Sequence, residues 1–220
     1  MLPRLSALAA LLFCALPALA AEAPEGYKLA FEDSFGEGSL EKFIFTDASA
    51  WQLVEEDGNT VLGLTGESKY MPLVRSPRNI AWVKGFEAQD FILEVKAKQT
   101  GREYGHRDLC FFFGRQDVTH FYYVHLASVA DDHANSIFLV DGKPRVSIAE
   151  KRTDGTKWTD GYHQIRIKRS YDSGLIEVFF DDMESPVMTA VDRHFGMGMI
   201  GLGSFDDVGN FDDLKIYVKE

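Results

Sequence analysis

Cysteine is nearly absent: among 220 residues only Cys14 and Cys110 carry a thiol. A scaffold stapled by several disulfides is therefore excluded. Basic charge is also in short supply. Lys and Arg number 23 against 34 Asp and Glu, a formal net charge of −11, whereas a nucleic-acid footprint needs a clustered excess of cations. The same deficit argues against an electrostatic grip on anionic membranes. Apolar runs long enough to span a bilayer are missing. Helical stripes are scarce, and no internal repeat or block of like charge interrupts the chain.

What is present is a large apolar complement, 45% hydrophobic and 13% aromatic residues, enough to close the core of one domain. The single concentrated apolar run is at the start. Arg4 precedes Leu5 to Leu16, followed by Pro17 and Ala18-Leu19-Ala20, the pattern of a signal peptide over 1–20. The mature product is then expected to be secreted or periplasmic. Cleavage there removes Cys14, so Cys110 has no partner for an intramolecular disulfide. Residues 21–26 are small and polar and read as a flexible leader, and 27–220 as a single domain.

Within 27–220 the period is two. Phe91, Leu93, Val95 and Ala97 alternate with Glu94, Lys96 and Lys98, and similar runs cover 163–168, 175–180 and 211–218, as half-solvated strands do. Asp57-Gly58-Asn59, Asp141-Gly142, Asp154-Gly155 and Asp172-Ser173-Gly174 punctuate them as turns. The fold class expected is all-β, a two-sheet antiparallel β-sandwich of the jelly-roll kind. Two strands break the alternation. Leu109-Cys-Phe-Phe-Phe113 and Phe121-Tyr-Tyr-Val124 are apolar on both faces, so one face belongs between the sheets and the other floors a groove.

The order of segments resembles a known family. Trp158-Thr-Asp-Gly-Tyr-His163, Gly174-Leu-Ile-Glu-Val-Phe-Phe-Asp-Asp182, Phe195-Gly-Met-Gly-Met-Ile-Gly-Leu-Gly203 and Phe211-Asp-Asp-Leu-Lys-Ile-Tyr217 are similar to the closing half of concanavalin A-like lectin/glucanase jelly rolls. These include laminin G-like modules and the 3-keto-disaccharide hydrolase group. Phe31-Glu-Asp-Ser-Phe35 is similar to their first strand. The resemblance implies a jelly roll that acts on or holds carbohydrate, while the architecture alone fixes no reaction. The Glu-x-Asp-x-x-Glu strand of laminarinase-type glucanases is absent, so their two-carboxylate retaining mechanism is not carried over.

Four of the six histidines, His106, His120, His125 and His133, fall in one stretch. With Leu109, Phe111 and Phe113 inward, alternation sends Asp108 and Phe112 to the groove, and Phe121, Tyr123 and His125 join them from the next strand. Tyr123 and His125 are then candidates for proton transfer, with Asp108 orienting the imidazole. His106 and Arg107 at the rim, Phe112 and Phe121 as stacking faces, and His133 and Arg145 nearby are candidate sugar contacts. Such a wall suits hydrolysis or elimination, as in a glycoside hydrolase or polysaccharide lyase, and glycan cleavage is the preferred expectation. The alternative is a lectin-like module that binds on the same wall without cleaving, and an adhesion domain is the third class. The acidic bulk charge favours neutral sugars over polyanions.

Strict alternation also puts Asp212 on the face of Leu214 and Ile216, where an unpaired carboxylate is costly. Two solutions stand open. One is a structural calcium, which similar jelly rolls hold where first and last strands meet, with Glu32 or Asp33 adding oxygens; the other is hydrogen bonding to backbone amides. No His-x-His or His-Glu-x-x-His spacing points to zinc, and no organic cofactor is expected.

Overall fold

A computed structural model describes residues 23–220. The expected signal peptide and the first two leader residues lie outside them. Pro24 O accepts the Tyr27 amide at 3.0 Å, and Gly26 O accepts that of Glu220 at 3.1 Å, so the described part of the expected flexible leader is tied to the chain's end.

The chain folds into two antiparallel sheets. One takes β1 (Tyr27–Asp33), β3 (Trp51–Glu56), β4 (Asn59–Leu64), β6 (Phe91–Gln99), β11 (Lys151–Arg152), β12 (His163–Ser170), β13 (Leu175–Phe180), β14 (Met188–Val191) and β16 (Gly209–Lys219). Its order is β11-β14-β13-β12-β6-β16-β4-β3, with β1 also on β16. The other takes β2 (Phe43–Phe45), β5 (Asn79–Ala88), β7 (Asp108–Asp117), β8 (His120–Ala127), β9 (Ser136–Asp141), β10 (Val146–Ser147) and β15 (Gly198–Ser204). Its order is β10-β9-β8-β7-β15-β5-β2. Among the described residues no helix is long and apolar enough to cross a membrane.

Alternation sets which side chains meet. On β6, Phe91, Leu93, Val95 and Ala97 are buried between the sheets. Glu94 on the solvent face lies opposite Arg166 of β12, paired at 2.5 Å, a cross-strand pair of the kind that holds register. From the other sheet, Leu109, Phe111, Phe113, Tyr122, Val124 and Leu126 complete this core.

The seven-stranded sheet is apolar on its second face too. Ile80, Trp82, Cys110, Phe112, Phe121, Tyr123, Phe138 and Val140 form a separate buried cluster there, with Val74, Met199 and Phe205 packed on it. A strap, residues 65–78 between β4 and β5, supplies Val74. Backbone bonds anchor it, from Arg145 N to Arg75 O at 3.2 Å and from Arg78 N to Phe205 O at 3.0 Å. The Lys69 amide adds a bond to Asp47 Oδ2 at 2.8 Å.

Two of the register irregularities change which face a candidate residue takes. Gly114 sits at φ +65°, and an added Cβ would lie 3.1 Å from both the Arg169 and the Tyr122 side chains. The β7–β8 register shifts just after it, so Arg115, which strict alternation sends inward, lies instead over the Trp82 ring on the second face. Asp213 sits at φ +49°, where the β16–β6 register also shifts. Phe211 and Leu214 therefore both enter the core, and Asp212 does not.

If both faces of the sheet are sealed, Phe111→Ala between the sheets and Phe112→Ala on the second face each lower stability in urea unfolding by about 3–5 kcal/mol. A loss under about 1 kcal/mol at Phe112 contradicts the covering of the second face.

Candidate functional site

The β7–β8 register sets Cys110 opposite His125 and Phe112 opposite Tyr123. Asp108, Cys110, Phe112, Phe121, Tyr123 and His125 consequently share the second face. The Asp108 carboxylate is the hub of the polar end. Its Oδ2 accepts the Phe205 amide at 2.9 Å and the Cys110 thiol at 3.1 Å, and lies 3.3 Å from His125 Nε2.

This hub is not the open groove wall expected of it. Asp108, Tyr123 and His125 are 1%, 0% and 3% exposed. Phe205, carried on the turn between β15 and β16, stacks on the His125 ring at 5.9 Å with 10° between planes. The Arg145 guanidinium lies 4.1 Å above Phe205 in turn. Tyr123 is stacked between Phe112 and Phe138, and its hydroxyl is buried without a hydrogen-bond partner. The physical reason for the covering is the aromatic content itself: so much apolar surface cannot stay wet, and the strap and the Phe205 turn close over it.

Burial also decides the proton chemistry. Desolvation pushes the Tyr123 hydroxyl well above its ordinary range, so it keeps its proton and is no general base near neutrality. The Cys110 thiol is raised by burial and by the neighbouring Asp108 charge. Burial opposes ionisation of Asp108, but attraction and hydrogen bonding to His125, with the Phe205 amide and Cys110 thiol, outweigh it and lower its pKa. Asp207 on the covering turn is pushed up to about 6 by burial and by Asp108, against its hydrogen bond from Tyr104.

The expected rim residues do not join the hub. His106 is exposed and pairs with Asp131 at 2.6 Å. Arg107 is buried, donating to Gln99 Oε1 at 3.1 Å and to Gln99 O at 2.9 Å, and so ties β6 to the start of β7. His133 is exposed, and its carbonyl accepts Arg145 Nη2 at 2.8 Å. Phe112 and Phe121 lie beneath the surface, 5.5 and 5.8 Å from Trp82.

Nor do Glu32, Asp33 and Asp212 assemble a calcium site. Asp33 accepts the Phe35 amide at 2.8 Å and the Ser39 hydroxyl at 2.6 Å and pairs with Lys42 at 3.1 Å. Asp212, turned outward by the irregularity at Asp213, accepts Asn59 Nδ2 at 2.9 Å and the Asp213 amide at 2.8 Å. Glu32 and Asp33 line one surface hollow and Asp212 another. The three carboxylates therefore do not converge on one position where they could share an ion.

The second face is accessible at a different place. A hollow of about 150 Å³ opens beside Trp82 and Phe121, with Tyr70 of the strap, Thr46, Val118 and Arg115 around it. The Arg115 guanidinium lies 5.1 Å over the Trp82 ring, its Nη1 donates to Met199 Sδ at 2.9 Å, and its Nε is buried without a partner. Of these residues only Phe121 is a candidate contact on the sequence pattern. Trp82 had a usable signal, since Ile80-Ala-Trp-Val83 is apolar on both faces like the strands around Phe112. Arg115 had none without the irregularity at Gly114. Two wider hollows, about 710 and 680 Å³, lie elsewhere, around Thr153–Lys157 and around Tyr162.

No protein-family model matches the chain, and no curated protein matches it in sequence. Solved structures do share its fold. Carbohydrate-binding module CBM66 from Bacillus subtilis superposes with a TM-score of 0.54 at 14% identity, covering 79% of this chain and 93% of that one. Domain 4 of AbnA, a GH43 extracellular arabinanase from Geobacillus stearothermophilus solved with arabinotriose, gives 0.56 at 13%, covering 89% and 94%. Winged bean acidic lectin complexed with methyl-α-D-galactose gives 0.54 at 12%, covering 88% and 98%. The chain thus has a concanavalin A-like jelly-roll fold, shared with lectins and carbohydrate-binding modules.

A buried hydroxyl without a partner costs about 1–3 kcal/mol. Tyr123→Phe is therefore expected to leave stability unchanged or raise it by about 1–2 kcal/mol in urea unfolding. A loss of more than about 1 kcal/mol means that the hydroxyl has a partner.

Proposed function

We propose that the protein binds carbohydrate, without cleaving it, in the hollow bounded by Tyr70, Trp82, Phe121 and Arg115. The observation that carries this reading is Arg115. A guanidinium 5.1 Å over an indole, with an N–H left without a partner, beside a phenol and a phenyl ring, is the pairing a pyranose needs. Its C–H face packs on the rings, and its hydroxyls take the N–H donors. The net charge of −11 opposes polyanions at long range, so a neutral sugar is the ligand class. Support comes from the fold's company: of the three structures compared above, one is a carbohydrate-binding module and the other two were solved with sugars. Export to the periplasm or the cell exterior, expected from residues 1–20, suits such a binder.

Cleavage is the weaker reading. It needs Asp108, Tyr123 and His125 to meet a glycosidic bond, and these lie beneath Phe205 and the strap. A screen against neutral and acidic oligosaccharides is expected to find a neutral ligand that is recovered intact. Tyr70→Ala and Arg115→Ala are each expected to weaken its binding at least tenfold while the circular dichroism spectrum is kept. Absence of binding across the screen, or binding indifferent to both substitutions, overturns the reading. Reducing ends or unsaturated products that disappear in His125→Ala would establish cleavage instead.

A further inference from the structure

The polar end of the second face is unused by the proposed sugar hollow. Asp108 and Cys110 stand two apart on one face of β7, and His125 lies opposite Cys110 on β8. Cys110 Sγ is 3.1 Å and His125 Nε2 3.3 Å from Asp108 Oδ2, and a carboxylate oxygen, the sulfur and an imidazole nitrogen all come within 4.8 Å of one another. We propose that these three side chains bind a transition-metal dication, zinc above all, beneath Phe205.

Geometry, charge and unmet hydrogen bonding agree on this. Zinc bonds of about 2.0–2.3 Å at tetrahedral angles set ligand atoms roughly 3.3–3.7 Å apart, close to the 3.1 and 3.3 Å separations from Asp108 and consistent with all three atoms lying within 4.8 Å of one another. Asp108 Oδ1, His125 Nδ1 and the Tyr123 hydroxyl are buried with no hydrogen-bond partner, while His125 Nε2 faces only Asp108 Oδ2. Orphaned polar atoms concentrated at one place in a sealed interior call for a missing ligand. A dication answers the charge as well. On binding, the Cys110 thiol proton leaves to solvent, and metal, thiolate, carboxylate and neutral imidazole sum to zero. Sulfur and imidazole select zinc over calcium or magnesium. The Phe205 amide bonded to Asp108 at 2.9 Å orients the carboxylate, as outer hydrogen bonds do around metal ligands. Phe138, Phe205 and Tyr123 form the surrounding apolar wall.

Because the position is sealed, the ion is to be loaded during refolding of the full chain in the presence of Zn²⁺ or Co²⁺. The expected result is one equivalent retained after gel filtration, a raised melting temperature with Zn²⁺, and with Co²⁺ a near-ultraviolet thiolate-to-metal charge-transfer band. Cys110→Ser removes that band and His125→Ala weakens binding at least tenfold, while His106→Ala, on the exposed surface, changes neither. Should a variant fail to fold, the wild-type chain still decides: bound Zn²⁺ protects Cys110 from alkylation during partial denaturation. Failure of both ions to be retained overturns the site. So does retention that survives both Cys110→Ser and His125→Ala, or alkylation of Cys110 at one rate with and without Zn²⁺.

Discussion

One constraint governs the rest of this molecule: its seven-stranded sheet is buried on both faces. An ordinary sandwich sheet hides one side and wets the other, and its strands alternate accordingly. Here β7 and β8 place Phe111, Phe113 and Tyr122 against the opposite sheet, and Phe112, Phe121 and Tyr123 on the far side. The second layer has no sheet to meet it. Residues 65–78 and the turn bearing Phe205 cover it instead, with few backbone anchors for so long a segment. The strap's Met71 and Leu73 remain 76% and 79% exposed, so the covering itself carries apolar surface outward.

That covering divides the far face into two chemistries. At one end a hollow beside Tyr70 and Arg115 leads down to the edges of Trp82 and Phe121, where an amphipathic ligand finds rings and donors together. At the other, Asp108 is enclosed with a thiol and an imidazole, and neighbouring carboxylates on the covering turn feel its charge. Both Asp206 and Asp207 are raised by burial and by Asp108. The turn that hides the hub is held to it by the Asp108 amide bonded to Asp207 at 3.1 Å, by the Phe205 amide and by the ring stacked on His125.

Much of this was legible in the amino-acid order. Period-two runs such as 91–97 give strands directly, and the doubled apolar pattern around Phe112 and Phe121 marks a sheet buried twice. The parity that puts Asp108, Tyr123 and His125 on one face follows from the same pattern. Two things were not legible. An irregularity in the register flips the side chains beyond it, which is why Asp212 reads as a core carboxylate and Arg115 as a core cation when each lies on the other face of its sheet. The covering strap is the other. Nothing local in 65–78 specifies where it lies, because its position is set by apolar surface on strands distant in sequence. Taking a doubly apolar strand for the floor of an open groove overlooks that hydrophobic surface recruits its own cover.

The three tryptophans offer a direct test of where the molecule meets sugar. Trp82 borders the hollow on the far face, Trp51 packs between the sheets, and Trp158 packs against His163 and Phe180, next to the two wider hollows. In a titration with a neutral oligosaccharide pool followed by indole ¹⁵N–¹H spectra, the Trp82 signal is expected to move while those of Trp51 and Trp158 stay in place. A Trp158 signal that moves while Trp82 stays still would put the sugar elsewhere and contradict the account.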